Sequence, residues 1–286
     1  MAVCTVCFRH CDLKKDQTGF CKGRICRDGI VQAKNYGLVT SLALDPIEKK
    51  PLARFYPGTR ILSVGSFGCN LRCPFCQNHE ISWSDEAERF YETAEYISPE
   101  ELTATAQYYE RKKNIGVAFT YNEPMIGYEY VRDTAKLVHE AGMKNVIVTN
   151  GTAELSVLEE LLPYIDAMNI DLKGFTDRYY KDVLDGDRQM VLSFIARAVQ
   201  VCHVELTTLV IPGENDSVDE MRQMCQWIAS LKDANGETIG RNVPLHISRF
   251  FPRFHMMDRQ ATDVMHIYHL ADVARKSLKY VYTGNC

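Results

Sequence analysis

From Ile61 onward the chain alternates short apolar runs with amphipathic ones, and this alternation limits the possible folds more than any other feature. Apolar runs at Arg60–Val64, 116–120, 145–149, 167–171, 204–211 and 244–251 read as strands buried on both faces. Between them lie stretches with helical spacing. Ser98-Pro99-Glu100-Glu101 is a capping box that opens a helix to about Lys112. Further helices are expected to about Ala141, over Glu154–Leu162, from Thr176 to Val201, behind a second capping box at Ser217–Glu220, and over Ala261–Leu278. Strands that all run the same way need crossover helices, and such crossovers are right-handed. The expected fold is therefore α/β: a partial (β/α)6 TIM-like barrel over residues 60–286, preceded by a small Cys-rich extension over residues 1–59.

In barrels of this kind the chemistry gathers where strands end. The first strand runs into Gly68-Cys69-Asn70-Leu71-Arg72-Cys73-Pro74-Phe75-Cys76, with three cysteines at C-x3-C-x2-C spacing and no fourth nearby. Structural zinc sites close with four ligands. A [4Fe–4S] cluster held by three cysteines keeps one iron open to a substrate or cofactor. Cys69, Cys73 and Cys76 are thus the expected cluster ligands and, through the cluster, the catalytic residues.

The other strand ends add polar groups. Asn122 and Glu123 follow the second strand, and a carboxylate there can accept an ammonium in a charge-assisted bond. Thr149-Asn150-Gly151 follows the third, with a glycine that permits a tight turn beside a ligand. Asp171 and Lys173 alternate onto one face after the fourth, offering an acceptor for hydroxyls and a cation for a carboxylate. The loop Ile211–Asp216 after the fifth could edge a nucleoside pocket. On the sixth, His246, Ser248 and Phe250 share a face that could address a ligand or second substrate.

The cysteine loop resembles the cluster motif of radical S-adenosylmethionine (SAM) enzymes. Phe75 matches the aromatic that lies beside the adenine in that superfamily. Glu123-Pro124 matches the end of its Gly-Gly-Glu-Pro motif, with Tyr121-Asn122 in place of the glycines. Asp171-Leu172-Lys173 and Thr149-Asn150-Gly151 are similar to the pyruvate formate-lyase activating enzymes. A more extensive resemblance runs from Asn35–Leu52 and Phe55–Gly58 through Thr120–Pro124 and Ser248–Pro252 to Tyr280–Asn285. It is to the radical enzyme of the AmmeMemoRadiSam system, within the activating-enzyme-like group. Those relatives usually continue into a cysteine-bearing tail, whereas this sequence stops at Cys286. The resemblance implies a [4Fe–4S] cluster and SAM as cofactors, with Phe75, Asn122, Glu123, Thr149, Asn150, Asp171, Lys173 and His246 as cofactor-binding positions. It further implies reductive cleavage of SAM to a 5′-deoxyadenosyl radical that abstracts hydrogen from a substrate. The expected partners are a reduced ferredoxin or flavodoxin, together with Memo-like proteins or a glycyl radical enzyme. Two alternatives stand beside this: a glycyl-radical activating enzyme, and a non-catalytic iron–sulfur protein for electron transfer or redox sensing.

A second cysteine group, Cys4, Cys7, Cys11, Cys21 and Cys26, precedes all of this in a stretch lacking a hydrophobic core of its own. Four of the five could hold zinc or another iron–sulfur cluster, although the spacing matches no standard zinc finger or ferredoxin run. The chain has 11 cysteines and no visible export signal, which favours metal ligation over disulfides and a cytoplasmic location. No apolar run reaches membrane-spanning length. Residues 1–60 carry a net charge of +6 and the remainder −10. Such a basic excess is more often a solvated face than a nucleic-acid site, and nucleic acid is not an expected partner.

Overall fold

The computed structural model describes residues 1–286. Its centre is an eight-stranded sheet: β1 Ser41–Pro46, β2 Arg60–Gly65, β3 Asn114–Phe119, β4 Lys144–Thr149, β5 Ala167–Asp171, β6 His203–Val210, β7 Leu245–Arg249 and β8 Val281–Gly284. The spatial order is the chain order, β1 at one edge and β8 at the other. All neighbours are parallel except β1 and β2, which pair antiparallel from Ser41↔Gly65 to Pro46↔Arg60. The six expected strands are all present.

Two strands were not foreseen. β8 supplies an eighth member after the last helix, and β1 lies within the segment assigned to the N-terminal extension. The expected division at residues 59 and 60 therefore falls inside the β1–β2 hairpin. Both strands are half-buried edge strands, without the continuous apolar run that marks the central ones.

The connecting helices are α1 Pro99–Tyr108, α2 Tyr128–Glu140, α3 Leu155–Leu161, α4 Arg188–Ala198, α5 Val218–Ala229 and α6 Val264–Arg275. The capping box at Ser98 and Glu101 forms in both directions. At Ser217 only half of the expected box forms. Ser217 accepts from the Glu220 amide, while the Glu220 carboxylate accepts from the Phe175 amide instead. The continuous helix expected over 176–201 is broken into a π-turn at Tyr179–Val183 and α4. Asp185 takes a φ of 51°, and Asp187 caps the new start by accepting from the Met190 amide at 3.1 Å. The break brings the Leu184 carbonyl to the Arg72 amide, 2.9 Å away in the cysteine loop.

Side-chain alternation puts two cores on opposite faces of the sheet. Leu62, Val117, Ile147 and Met168 join the large core beneath the helices. Their chain neighbours Ile61, Ala118, Val146 and Ala167 form a small core with Ile47, Leu52 and Phe55 on the other face. Burying each of these last three is worth about 1.5–3 kcal/mol. The segment after β1 thus stops the inner face near the N-terminal ends of the strands. Side chains tie its backbone down: Asn169 Nδ2 donates to the Pro51 carbonyl at 2.9 Å, and the Ala53 and Arg54 amides donate to Glu205 at 3.0 and 2.8 Å. The remaining inner face is a polar cavity toward the C-terminal strand ends.

The N-terminal residues form small antiparallel ribbons, Ala2–Val3 with Asp12–Leu13 and Arg24–Arg27 with Ile30–Ala33. No helix is long and apolar enough to cross a membrane.

Candidate active site

One cavity of about 730 Å3 is lined by Cys69, Cys73, Phe75 and Cys76 from the loop after β2, and by Asn122 and Glu123 after β3. Thr149 and Asn150 after β4, Asp171 and Lys173 after β5, and His246 on β7 line it as well. Every cofactor-binding residue expected from sequence therefore faces the same space. The loop Ile211–Asp216 does not line it. Its role is indirect, since Asn215 Nδ2 donates to the Lys173 carbonyl at 2.6 Å and fixes that strand end.

The cysteine loop is held at its entry. Asn122 Nδ2 donates to the carbonyls of Phe67 and Gly68, each at 3.2 Å, while its Oδ1 accepts from the Ser66 amide at 3.0 Å. This amide shapes the entry to the loop as well as facing the cavity. Cys69 Sγ accepts from the Leu71 amide at 3.4 Å and from Asn150 Nδ2 at 3.7 Å. Such donors favour a thiolate over a thiol. Burial opposes them, pushing the Cys73 thiol up to about 12 and the other two upward as well. A metal must therefore displace the protons.

Glu123 is buried and satisfies its neighbours rather than standing free. Oε1 accepts from Thr149 Oγ1 at 2.6 Å and from the Met125 amide at 3.1 Å, and Oε2 accepts from the Asn150 amide at 2.8 Å. Burial raises its carboxyl to about 7 against the lowering effect of these donors. A carboxylate offers about four acceptor positions, so the Oε2 side keeps one for a ligand. Thr149 is likewise engaged, since its hydroxyl also accepts from the Gly151 amide.

Lys173 Nζ lies 2.7 Å from Asp171 Oδ2. Burial works to discharge this ammonium, but Asp171 outweighs it and holds the lysine well above its usual range. The cation at the mouth of the thiol loop suits an anionic cluster and a ligand carboxylate alike.

His246 is directed by a residue that sequence reasoning missed. Glu205 has no exposed side-chain surface, yet it lies 2.6 Å from His246 Nε2 and 2.9 Å from His203 Nε2. Burial works to raise its carboxyl, but the two histidines and the Ala53 and Arg54 amides hold it down to about 2. The His246 ring stacks on Tyr282 at 5.1 Å. The only signal for Glu205 in the sequence was a carboxylate inside an apolar strand.

No group of three histidine, cysteine or carboxylate side chains is placed to hold a single metal ion. The donor set at Cys69, Cys73 and Cys76 nevertheless fits an iron–sulfur cluster: three soft thiols from one loop, N–H donors on one sulfur and a lysine beside another. Cys4, Cys7, Cys11 and Cys21 line a separate pocket, and Cys26 is buried outside it.

The description of the radical SAM superfamily matches residues 63–228, from the middle of β2 to the end of α5. The chain belongs to the radical SAM superfamily. It is 39% identical over 284 residues to an uncharacterized protein of Methanocaldococcus jannaschii, covering 99% of this chain and 80% of that one. It is 26% identical over 179 residues to the pyruvate formate-lyase-activating enzyme of Clostridium pasteurianum, covering 62% of this chain and 72% of that enzyme. Among solved structures, a radical SAM methyltransferase from Sphaerobacter thermophilus superposes with a TM-score of 0.55 at 15% identity, over 80% of this chain and 67% of that one. That likeness concerns the fold. This radical SAM protein is an enzyme, and its cofactors are a [4Fe–4S] cluster and SAM. The non-catalytic alternative falls with that.

Proposed function

We propose that Cys69, Cys73 and Cys76 carry the cluster of a radical SAM enzyme, and that the partial barrel formed by β2 to β7 presents SAM to a second substrate in the cavity. The observation that carries this reading is the single cavity shared by the three thiols, Glu123 and the Asp171–Lys173 pair. The bound cluster and SAM supply the chemistry, reductive cleavage to a 5′-deoxyadenosyl radical that takes hydrogen from the substrate. The chain's own residues bind and orient. The open acceptor position on Glu123 suits the methionyl amino group, Asp171 suits the ribose hydroxyls, and Lys173 suits the methionyl carboxylate. Phe75 offers an apolar face to the adenine. His246, fixed by Glu205 and Tyr282, lies on the inner wall where the second substrate would sit. A reduced ferredoxin or flavodoxin would supply the electron, and the wider sequence resemblance points to an AmmeMemoRadiSam role with Memo-like partners.

The test is anaerobic reconstitution with iron and sulfide, followed by dithionite and SAM. Formation of 5′-deoxyadenosine and methionine supports the reading. A fully reconstituted protein that neither binds SAM nor releases 5′-deoxyadenosine overturns it.

A second reading is activation of a glycyl radical enzyme. It is favoured by similarity to the Clostridium pasteurianum enzyme and to a putatively named glycyl-radical activating protein of Methanocaldococcus jannaschii, 27% identical over 173 residues, 57% of this chain and 67% of that one. Its mark would be a glycyl radical signal in electron paramagnetic resonance (EPR) when a partner enzyme is present.

A further inference from the structure

The N-terminal cysteines take no part in the chemistry derived so far, yet the fold gathers four of them. Pairing of Ala2–Val3 with Asp12–Leu13 sets the Cys4 amide 2.9 Å from the Cys11 carbonyl. A tight turn, with the Lys22 amide donating to Gly19 and the Gly19 amide to Arg24, carries Cys21 to the same place. Cys4, Cys7, Cys11 and Cys21 line one small pocket. Cys4, Cys7 and Cys21 are buried, and Cys11 is half-buried.

A second observation points to an anionic occupant. Arg24 lines this pocket with its side chain only 5% exposed. Its Nη1 is paired with Glu129 at 2.6 Å, but its buried Nε has no hydrogen-bond partner. An unmet buried donor costs about 1–3 kcal/mol, and a sulfide or thiolate in the pocket would meet it. Arg9 lines the pocket as well. Arg9 is itself paired with Asp185 at 2.9 Å, so it is the Arg24 Nε that is left for an anionic occupant.

The third observation is position. The Cys69 amide donates to the Cys21 carbonyl at 3.1 Å, a direct hydrogen bond between the two cysteine loops. The approach depends on Gly68, at a φ of 95°, where a Cβ would lie 2.5 Å from that carbonyl. Zinc has no redox chemistry and would gain nothing from such a seat. A tetrahedral zinc also draws its sulfurs to about 3.8 Å from one another, given a Zn–S bond of ~2.3 Å. No three of these side chains are placed to hold a single ion, which is equally true of Cys69, Cys73 and Cys76. A cluster spreads its ligands over four irons.

We propose that Cys4, Cys7, Cys11 and Cys21 hold a second [4Fe–4S] cluster, which passes electrons to the cluster on Cys69, Cys73 and Cys76. The existence of the second cluster stands on its own, and the relay rests on the radical SAM reading. In each cycle a low-potential one-electron donor of the flavodoxin or ferredoxin class is oxidised by one electron. The N-terminal cluster is reduced from the 2+ to the 1+ state, then reoxidised as the other cluster is reduced. No bond forms or breaks in the relay. The net +6 of residues 1–60 fits an acidic donor.

The test is iron analysis and EPR on the full chain after anaerobic reconstitution. The expected content is about eight irons in the unaltered chain and about four in a Cys69→Ala, Cys73→Ala, Cys76→Ala triple variant. The reduced triple variant should show a cluster signal that does not change when SAM is added. Background iron in that variant, or one zinc per chain in its place, overturns the second cluster. The triple variant leaves the N-terminal cysteines intact, so the result does not depend on the folding of an N-terminal variant. For the relay, a Cys7→Ser, Cys21→Ser variant that still has its SAM-sensitive signal should be reduced at that site by flavodoxin at least ten-fold more slowly than the unaltered chain. An equal rate overturns the relay. Absence of any SAM-sensitive signal in the unaltered chain would instead count against the radical SAM reading, which keeps the two failures distinct.

Discussion

The two cysteine regions differ in ligand number and in room. The loop after β2 offers three cysteines and faces a cavity of about 730 Å3 furnished with Glu123, Asp171, Lys173 and His246. The N-terminal pocket offers four cysteines with almost nothing else polar but arginine, and is far smaller. Three ligands beside an open cavity leave a metal position for chemistry, whereas four in a closed pocket leave none. A fourth cysteine missing from the first region is what suits that region to chemistry.

The largest expected effect breaks the comparison outright if it fails. Cys73→Ala should reduce 5′-deoxyadenosine formation to background, measured by chromatography of dithionite-reduced reactions. Activity above background would mean that the N-terminal group can carry the chemistry.

Next comes the furnishing of the open region. Glu205→Ala should destabilise the protein by about 3–5 kcal/mol in urea unfolding, because it leaves a buried network without its charge. The Glu205 carboxyl is held at about 2, below the ordinary 4.5. Its stabilising contribution is therefore complete above pH 4.5 and lost as pH falls toward 2. The stability gap between the unaltered chain and the variant should close over that window. A gap that persists at the acid end would refute the ionised assignment.

Asp171→Ala should weaken SAM binding by about 1.5–3 kcal/mol, roughly 10- to 150-fold in Kd, read by equilibrium dialysis with cluster absorbance unchanged. Loss of the cluster along with SAM would instead make Asp171 part of the loop's support. The smallest effect lies at the seam. Gly68→Ala should cost about 1–3 kcal/mol from backbone strain and its clash with the Cys21 carbonyl. Iron content should fall at both sites together, and a loss confined to one would show that the loops fold independently.

The residues of the open region were legible because most sit where an apolar run stops, and strand ends can be read from local pattern. Cys69, Glu123, Thr149 and Asp171 follow that rule, while His246 lies within its strand and was found by alternation instead. Glu205 and Tyr282 were missed because their importance comes from pairing with His246 across neighbouring strands, which no local spacing records. Likewise β1 and β8 are edge strands whose half-buried pattern is weak on its own. The helix expected over 176–201 failed at Asp185-Gly186-Asp187, a turn signal that helical periodicity on either side obscured. Which of the five N-terminal cysteines come together was not legible either. That depends on two turns and leaves Cys26 outside.

Ile47, Leu52 and Phe55 touch none of the thiols in the cavity, yet they act as its cork. They cover the inner face of the sheet below the cavity and so keep water from that side of it. A carbon radical is quenched by whatever donates hydrogen first, so the fidelity of the reaction depends partly on how tightly this distant stopper fits. Leakage past a loosened stopper would appear as cofactor consumed without product, with every residue around the reacting atoms intact.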